Sequence, residues 1–254
     1  MAQYGNFAYI YDQLMDDVDY EKWVDHIENL IKLNNIKVKN ILELACGTGN
    51  ITIPLTRRGY DIAGIDISEE MLDVAYNKSI EENTTLVLLE QDIVELDFDI
   101  YDLDCVLCAC DGFNYITSIE DLDKVFTKVH QQLKDGGIFV FDISSHFKLK
   151  NILGNNFMGQ SRKDLSYMWT NYYDDQIQLL EMELDFFVKI DADDDEEDNL
   201  YEKYSEVHLQ RAHKEEEIIK LLEKVGFEDI KSFGDFELEN VKEDSQRVFF
   251  TAIK

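Results

Sequence analysis

Ile41-Leu42-Glu43-Leu44-Ala45-Cys46-Gly47-Thr48-Gly49-Asn50 is the stretch from which the fold is read. The run that leads into it, Ile36-Lys37-Val38-Lys39-Asn40-Ile41-Leu42, reads as a buried strand, and residues 50–57 behind it read as a helix. A strand, a Gly-x-Gly turn and a helix let backbone N–H groups approach a ligand, because glycine has no Cβ in the way. Such turns serve many nucleotide folds, so the turn alone does not choose among them. Glu43, on the strand just before the turn, narrows the choice. A pyrophosphate wants a bare helix N-terminus and a Gly-x-Gly-x-x-Gly spacing. Here the third glycine position is Thr52, and Glu43 would repel phosphates. A ligand with a cationic end suits the site better.

Strand patterns recur outward from this turn, at residues 41–44, 62–66, 85–89, 103–108 and 138–142, with helical patterns between them. That alternation predicts a parallel sheet with helices on both faces. Ser68 can cap the helix after the second strand, with Glu69 and Glu70 complementing its dipole. Ser118 and Asp121 open another, whose apolar face is Leu122, Val125, Phe126, Val129 and Leu133, with Gly136 as its stop. Ligands in such sheets bind beyond the carboxyl ends of the strands. Glu43, Asp66, Asp92 and residues 108–111 all fall there.

In this ordered set the chain resembles the class I S-adenosylmethionine-dependent methyltransferases. Glu43-Leu44-Ala45-Cys46-Gly47-Thr48-Gly49 looks like their first motif. Ile62-Ala63-Gly64-Ile65-Asp66 looks like the second strand, ending in the acid that holds the ribose hydroxyls. Gln91-Asp92-Ile93 looks like the turn whose acid meets the adenine amino group, and Leu133-Lys134-Asp135-Gly136-Gly137 like the turn before the fifth strand. The resemblance implies S-adenosyl-L-methionine as cofactor, which has an ammonium, a sulfonium and no phosphate. It implies contacts from Glu43, Ala45, Cys46, Gly47, Thr48 and Gly49, then from Asp66, Ile67 and Met71, and from Asp92, Ile93 and Ala109. In families of this kind the N-terminal segment folds over the cofactor. That brings in Tyr11 and Tyr20, whose phenols can donate to its carboxylate, and Trp23.

After residue 142 the pattern changes. Residues 167–211 read as antiparallel strands: Met182, Leu184, Phe186, Val188 and Ile190 alternate with Glu181, Glu183, Asp185, Phe187 and Lys189. Tyr204, Glu206, His208 and Gln210 share one face of the third strand. The acidic run 191–198 reads as a solvated loop without the spacing of a calcium loop. Residues 214–225 read as a helix, and 247–253 as a closing strand of the main sheet. The expected fold is therefore α/β: a Rossmann-like, mostly parallel seven-stranded sheet with helices on both faces, plus an inserted antiparallel β layer of three strands. Residues 1–144 and 212–254 form the cofactor-binding core, and 145–211 the insert, which covers the cleft and supplies the acceptor pocket as in the amino-sugar N-methyltransferases it resembles.

The formal net charge is −30, from 54 acids against 24 bases. Such a field repels phosphate backbones and anionic membrane surfaces, so nucleic acid and membranes are not the expected partners. No apolar run approaches the ~20 residues of a membrane span. Four cysteines without framework spacing fit a reducing, cytoplasmic setting. Cys105 and Cys108 would point to opposite faces of one strand, which disfavours a metal or redox pair, and no metal site is expected. The chain has one proline, Pro54. It therefore lacks both the Pro-Cys nucleophile of cytosine C5-methylating families and the Asn/Asp-Pro-Pro-aromatic motif of enzymes acting on adenine or glutamine.

The segment Cys108-Ala109-Cys110-Asp111-Gly112-Phe113-Asn114-Tyr115 looks instead like that of small-molecule methyltransferases, making Asp111, Asn114 and Tyr115 candidate acceptor contacts. If the acceptor must lose a proton, His208, His213, His146 and Asp111 are the candidates to take it. The expected function is methyl transfer to N or O of a small molecule, by a monomer or homodimer. The alternatives are a non-catalytic protein that binds a nucleotide cofactor and, disfavoured by Glu43 and Thr52, an NAD-linked oxidoreductase.

Overall fold

The computed structural model describes residues 7–96, 102–190 and 200–254. The acidic run 191–198 lies outside the described residues. Two helices come first, α1 (Ala8–Leu14) and α2 (Tyr20–Leu33). The central elements then alternate: β1 (Asn40–Leu44), α3 (Thr52–Arg57), β2 (Asp61–Asp66), α4 (Glu69–Glu81), β3 (Val87–Glu90), β4 (Leu103–Cys108), α5 (Ile119–Gln132) and β5 (Leu133–Ser144). A second sheet follows, β6 (Phe157–Ser161), β7 (Leu165–Asp174), β8 (Leu179–Ile190) and β9 (Leu200–Arg211), before α6 (Glu215–Val225), β10 (Glu228–Gly234) and β11 (Arg247–Ile253) close the main sheet. No described helix is long and apolar enough to cross a membrane.

The main sheet has the order β10-β11-β5-β4-β1-β2-β3, and β11 runs antiparallel to both of its neighbours. Its central strands β1, β4 and most of β5 are buried on two faces, so alternate side chains enter different cores. Leu42 and Leu44 of β1, with Val106 and Cys108 of β4, join α5 and α6. Ile41, Cys105 and Leu107 join α2 and α3 on the other face. The two cysteines of the C-x-x-C thus separate as the two-residue period requires, and all four cysteines are free. A third core unites α1 (Ala8, Ile10) with Met71 of α4 and the inner face of the second sheet, including Leu180, Met182, Leu184 and Phe186. This core makes α1 the bridge between the two sheets.

Ser68 and Ser118 accept the backbone N–H of Met71 and Asp121, the caps expected for α4 and α5. Other boundaries moved. β1 begins only at Asn40, after exposed Lys37 and Lys39; α3 begins at Thr52, and β3 sits two residues late. β5 starts at Leu133, because Leu133 already pairs with Leu103. The second sheet has four strands, not three. β6 was missed because four of its five residues are exposed, so it lacks the apolar alternation that betrays a strand.

Gly64 lies where β2 passes the glycine turn. A Cβ there would stand 2.7 Å from Cys46 Sγ and 3.2 Å from Leu88 Cδ2. Gly64→Ala should therefore lower the unfolding free energy by about 1–3 kcal/mol, seen as a lower urea midpoint with unchanged slope.

Candidate active site

A cleft of about 780 Å³ opens at the carboxyl ends of the parallel strands, beneath the second sheet and α1. Glu43, Asp66, Asp92 and Asp111 reach it from the ends of β1, β2, β3 and β4, or the turns just after them. Tyr167, Trp169, Met182, Leu184, Phe186 and His208 descend from the second sheet, and Tyr11, Tyr20 and Trp23 from the N-terminal helices.

The half at the glycine turn is acidic. Glu43 is 2% exposed, and its carboxyl accepts the Thr52 hydroxyl at 2.5 Å. Burial pushes this carboxyl up to about 8, with nearby Asp66 adding to the rise. Asp66 accepts the backbone N–H groups of Gly47 (2.8 Å) and Ser68 (3.0 Å); burial raises its pKa, and those bonds hold it back. Ala45 and Gly47 take positive φ, 54° and 52°, which turns the chain around the end of β1. Cys46, Thr48, Ile67, Met71, Ile93 and Ala109 complete the lining of this half.

One functional cluster left no local pattern in the sequence. Asp12 of α1 accepts Thr48 Oγ1 at 2.7 Å and Asn50 Nδ2 at 2.9 Å, while its other oxygen takes Lys78 Nζ of α4 at 2.7 Å. Lys78 also donates to Asn50 Oδ1. This clasp fastens the N-terminal helix to the glycine turn. Only the N-terminal aromatics pointed to this segment, since its partners lie 36, 38 and 66 residues away.

The other half is built around Asp142 of β5. Its carboxylate accepts the N–H groups of Cys110 (2.8 Å) and Asp111 (3.0 Å), both in the left-handed region at φ 59° and 57°. Arg247 of β11 donates to Asp142 and, at 2.8 Å, to Asp111, and its guanidinium lies 4.6 Å from the centre of the Trp23 ring. Gln210 Nε2 donates to the second oxygen of Asp111 at 3.2 Å. Burial raises the Asp142 carboxyl to about 6, with Arg247 opposing the rise. Above these groups, His208 Nε2 lies 2.9 Å from Glu206 Oε2, and its Nδ1 lies 3.3 Å from Tyr115 Oη.

The structure brings most of the expected residues together, but not all. His213 is fully buried away from the cleft, its Nε2 aimed at the carbonyls of Phe113 (3.2 Å) and Ile116 (3.0 Å); burial lowers its pKa to about 4, so it is a neutral tie between loops. His146 lies off the cleft beside Tyr173. Gly49 does not line the cleft: its N–H is spent on the Cys46 carbonyl, and a Cβ would stand 3.2 Å from Ala75 Cβ. Asn114 is buried, joining the ends of β5 and β9 through Ser144 and the Arg211 carbonyl.

These residues fit the implied cofactor. Tyr20 Oη is buried with no hydrogen-bond partner among the described residues, a donor left over for a ligand. Burial raises the phenols of both Tyr11 and Tyr20, so both stay protonated donors. Among the described lining residues the only lysine and arginine side chains are Lys148 and Arg247, in the other half.

Comparison with known proteins gives the same picture. A methyltransferase domain family matches residues 41–137. A putative methyltransferase of Geobacillus sp. (strain WCH70) is 31% identical over 252 residues, 99% of each chain. The crystal structure of an S-adenosylmethionine-dependent methyltransferase from Clostridium acetobutylicum ATCC 824 superposes with a TM-score of 0.86 at 35% identity, covering 98% of each chain. The sugar N-methyltransferase KedS8 from Streptoalloteichus sp ATCC 53650, at 17% identity, shares the fold with a TM-score of 0.77 over 97% of this chain and 92% of that one.

Asp12→Ala should free α1 from the glycine turn and weaken S-adenosylhomocysteine binding about tenfold by calorimetry, the scale of one charged hydrogen-bond cluster. Glu43 should write its burial into the pH dependence of stability. Its folded pKa lies above the ordinary 4.5, so its contribution is complete below that value and is lost as pH rises through about 8. Unfolding of Glu43→Gln followed from about pH 5 to about pH 9 should therefore show less loss of stability than the wild type.

Proposed function

The chain belongs to the class I S-adenosylmethionine-dependent methyltransferases, and from that premise we propose that it methylates a nitrogen or oxygen of a small molecule held between the parallel sheet and the second sheet. The observation that carries the small-molecule reading is the roofed cleft. Its 780 Å³ is of the size that takes small ligands, about 300–1,000 Å³. The surrounding charge of −30 opposes a nucleic-acid acceptor. The likeness of fold to a sugar N-methyltransferase is consistent with it.

When bound, the cofactor supplies an electrophilic methyl carbon. The chain's residues then have three tasks. Glu43, Asp66 and Asp92 receive the polar edge of the cofactor, while Tyr11 and Tyr20 offer phenol donors, all of them on the cleft wall. Asp142 and Arg247 hold the Cys110–Asp111 turn rigid, so that the acceptor meets a fixed floor; alignment of this kind contributes several kcal/mol to methyl transfer. The third task is the acceptor's proton. With Glu206 on Nε2, the His208 ring carries its hydrogen there and leaves Nδ1 as the base. Tyr115 can pass its hydroxyl proton to Nδ1 while its oxygen takes the acceptor's proton. Asp111 has both oxygens engaged and acts as a positioning group.

The test begins with calorimetry, in which S-adenosylhomocysteine should bind and NADH should not. Turnover is then read as S-adenosylhomocysteine release on a panel of amino sugars and other small amines and alcohols. With any acceptor found, His208→Gln should lower kcat by about 10²–10⁴ while leaving S-adenosylhomocysteine affinity intact. Unchanged kcat would remove His208 from the proton path.

A further inference from the structure

Lys148 is the one lysine among the described residues of the cleft wall, at the start of a π-helical turn (Lys148–Leu153) that leads from β5 toward the second sheet. Its ammonium donates to Ser144 Oγ at 3.2 Å, and no carboxylate of the described residues lies within ion-pair distance of it. The nearby acids are directly bonded elsewhere. Asp142 is committed to two backbone N–H groups and Arg247. Asp111 is committed to Arg247 and Gln210.

An ammonium carries three donors, and a neutral hydroxyl satisfies one of them without supplying counter-charge. Removing such a charge from water costs free energy unless an anion meets it. Burial accordingly lowers the Lys148 pKa, with Arg247 adding to that shift and Asp111 and Asp142 opposing it. Lys148, Arg247, Asp111 and Asp142 balance in formal charge, but the direct ion pairs of both carboxylates go to Arg247, so Lys148 is left with a hydroxyl contact. The cation lies in the half of the cleft that holds Asp111, Tyr115 and His208, away from the glycine turn.

We propose that Lys148 binds an anionic group, a carboxylate or phosphate, carried by the methyl acceptor. This rests on the small-molecule methyltransferase reading and adds the acceptor's chemical class: a compact molecule with the nucleophilic N or O toward Tyr115 and His208 and an acid toward Lys148. A lysine acts as a point charge without the planar fork of arginine, so carboxylate and phosphate are both admissible. The overall negative field sets the long-range approach, whereas Lys148 sets the contact at short range.

The experiment uses protein saturated with S-adenosylhomocysteine, titrated with malonate, with inorganic phosphate and with neutral malonamide. Binding is read by fluorescence of Trp23 and Trp169, both on the cleft wall. The wild type should show a saturable change with malonate or phosphate and none with malonamide. Lys148→Met should weaken that binding by about tenfold or more, as expected for loss of one partner of a desolvated charge pair, and Lys148→Arg should retain it. S-adenosylhomocysteine affinity should stay within about twofold in Lys148→Met, less than the effect of a lost charge contact. Lys148→Gln serves as the uncharged variant if the methionine form does not fold.

The proposal is overturned if neither anion binds saturably, or if the uncharged variant binds them as the wild type does. It is also overturned if that variant loses S-adenosylhomocysteine affinity by about tenfold, which would assign the lysine to the cofactor's own carboxylate. A wild type that ignores S-adenosylhomocysteine would instead sink the methyltransferase reading.

Discussion

The Asp142 carboxylate is the tie on which the geometry of the cleft depends. It holds two consecutive left-handed residues, Cys110 and Asp111, at the end of β4, and it is itself held by Arg247 from β11. Non-glycine residues in that conformation cost about 1–3 kcal/mol each and persist only where the surroundings over-determine them. Here three adjacent strands converge on one carboxylate, and the turn they fix is the floor beneath Tyr115, His208 and Gln210. Gly112 follows for a steric reason: a Cβ there would stand 2.9 Å from Cys108 Sγ and 3.0 Å from Ala45 Cβ. The floor therefore packs directly on the glycine turn, and the two halves of the cleft share a wall.

The roof is joined to the floor at Asn114 and through α1, besides the Gln210–Asp111 and Tyr115–His208 contacts. Asn114 bonds to the ends of β5 and β9 at once, fixing the second sheet over the main one. On the opposite side, α1 packs its apolar residues into the core of the second sheet while Asp12 grips Thr48, Asn50 and Lys78. Phe7, just before α1, stacks on Phe186 at 5.0 Å and meets the edge of His208 at 5.7 Å. Disturbing the glycine turn thus reaches, through α1, the ring that stands beside His208. That is a physical link between the glycine turn and His208 without an added domain.

The sheet, its acids and the cofactor were legible in the sequence because each is written locally. Two-residue alternation, glycine turns and capping serines need only their near neighbours, and Glu43, Asp66 and Asp92 sit at fixed offsets from them. Asp12, Asp142, Lys148 and Arg247 were not legible, because their meaning lies in partners far along the chain and no local pattern marks them. His213 and Asn114 were read as chemistry but serve as structure, since a polar residue on a loop looks the same in sequence whether it faces a ligand or a carbonyl. β6 escaped for the opposite reason to the core strands: it has no buried face to reveal it.

Arg247 and Asp142 stand 105 residues apart, and that interval bears on how the protein comes into being. Closing so large a loop is entropically slow compared with zipping β1 to β2. During synthesis, residues near the glycine turn can pair soon after they emerge, whereas Asp142 must await β11 for its counter-ion. Until then Asp142 sits on an open edge of β5, in water and without its ion pair. The Asp142 half of the cleft is thus completed last, after the glycine turn is already in place.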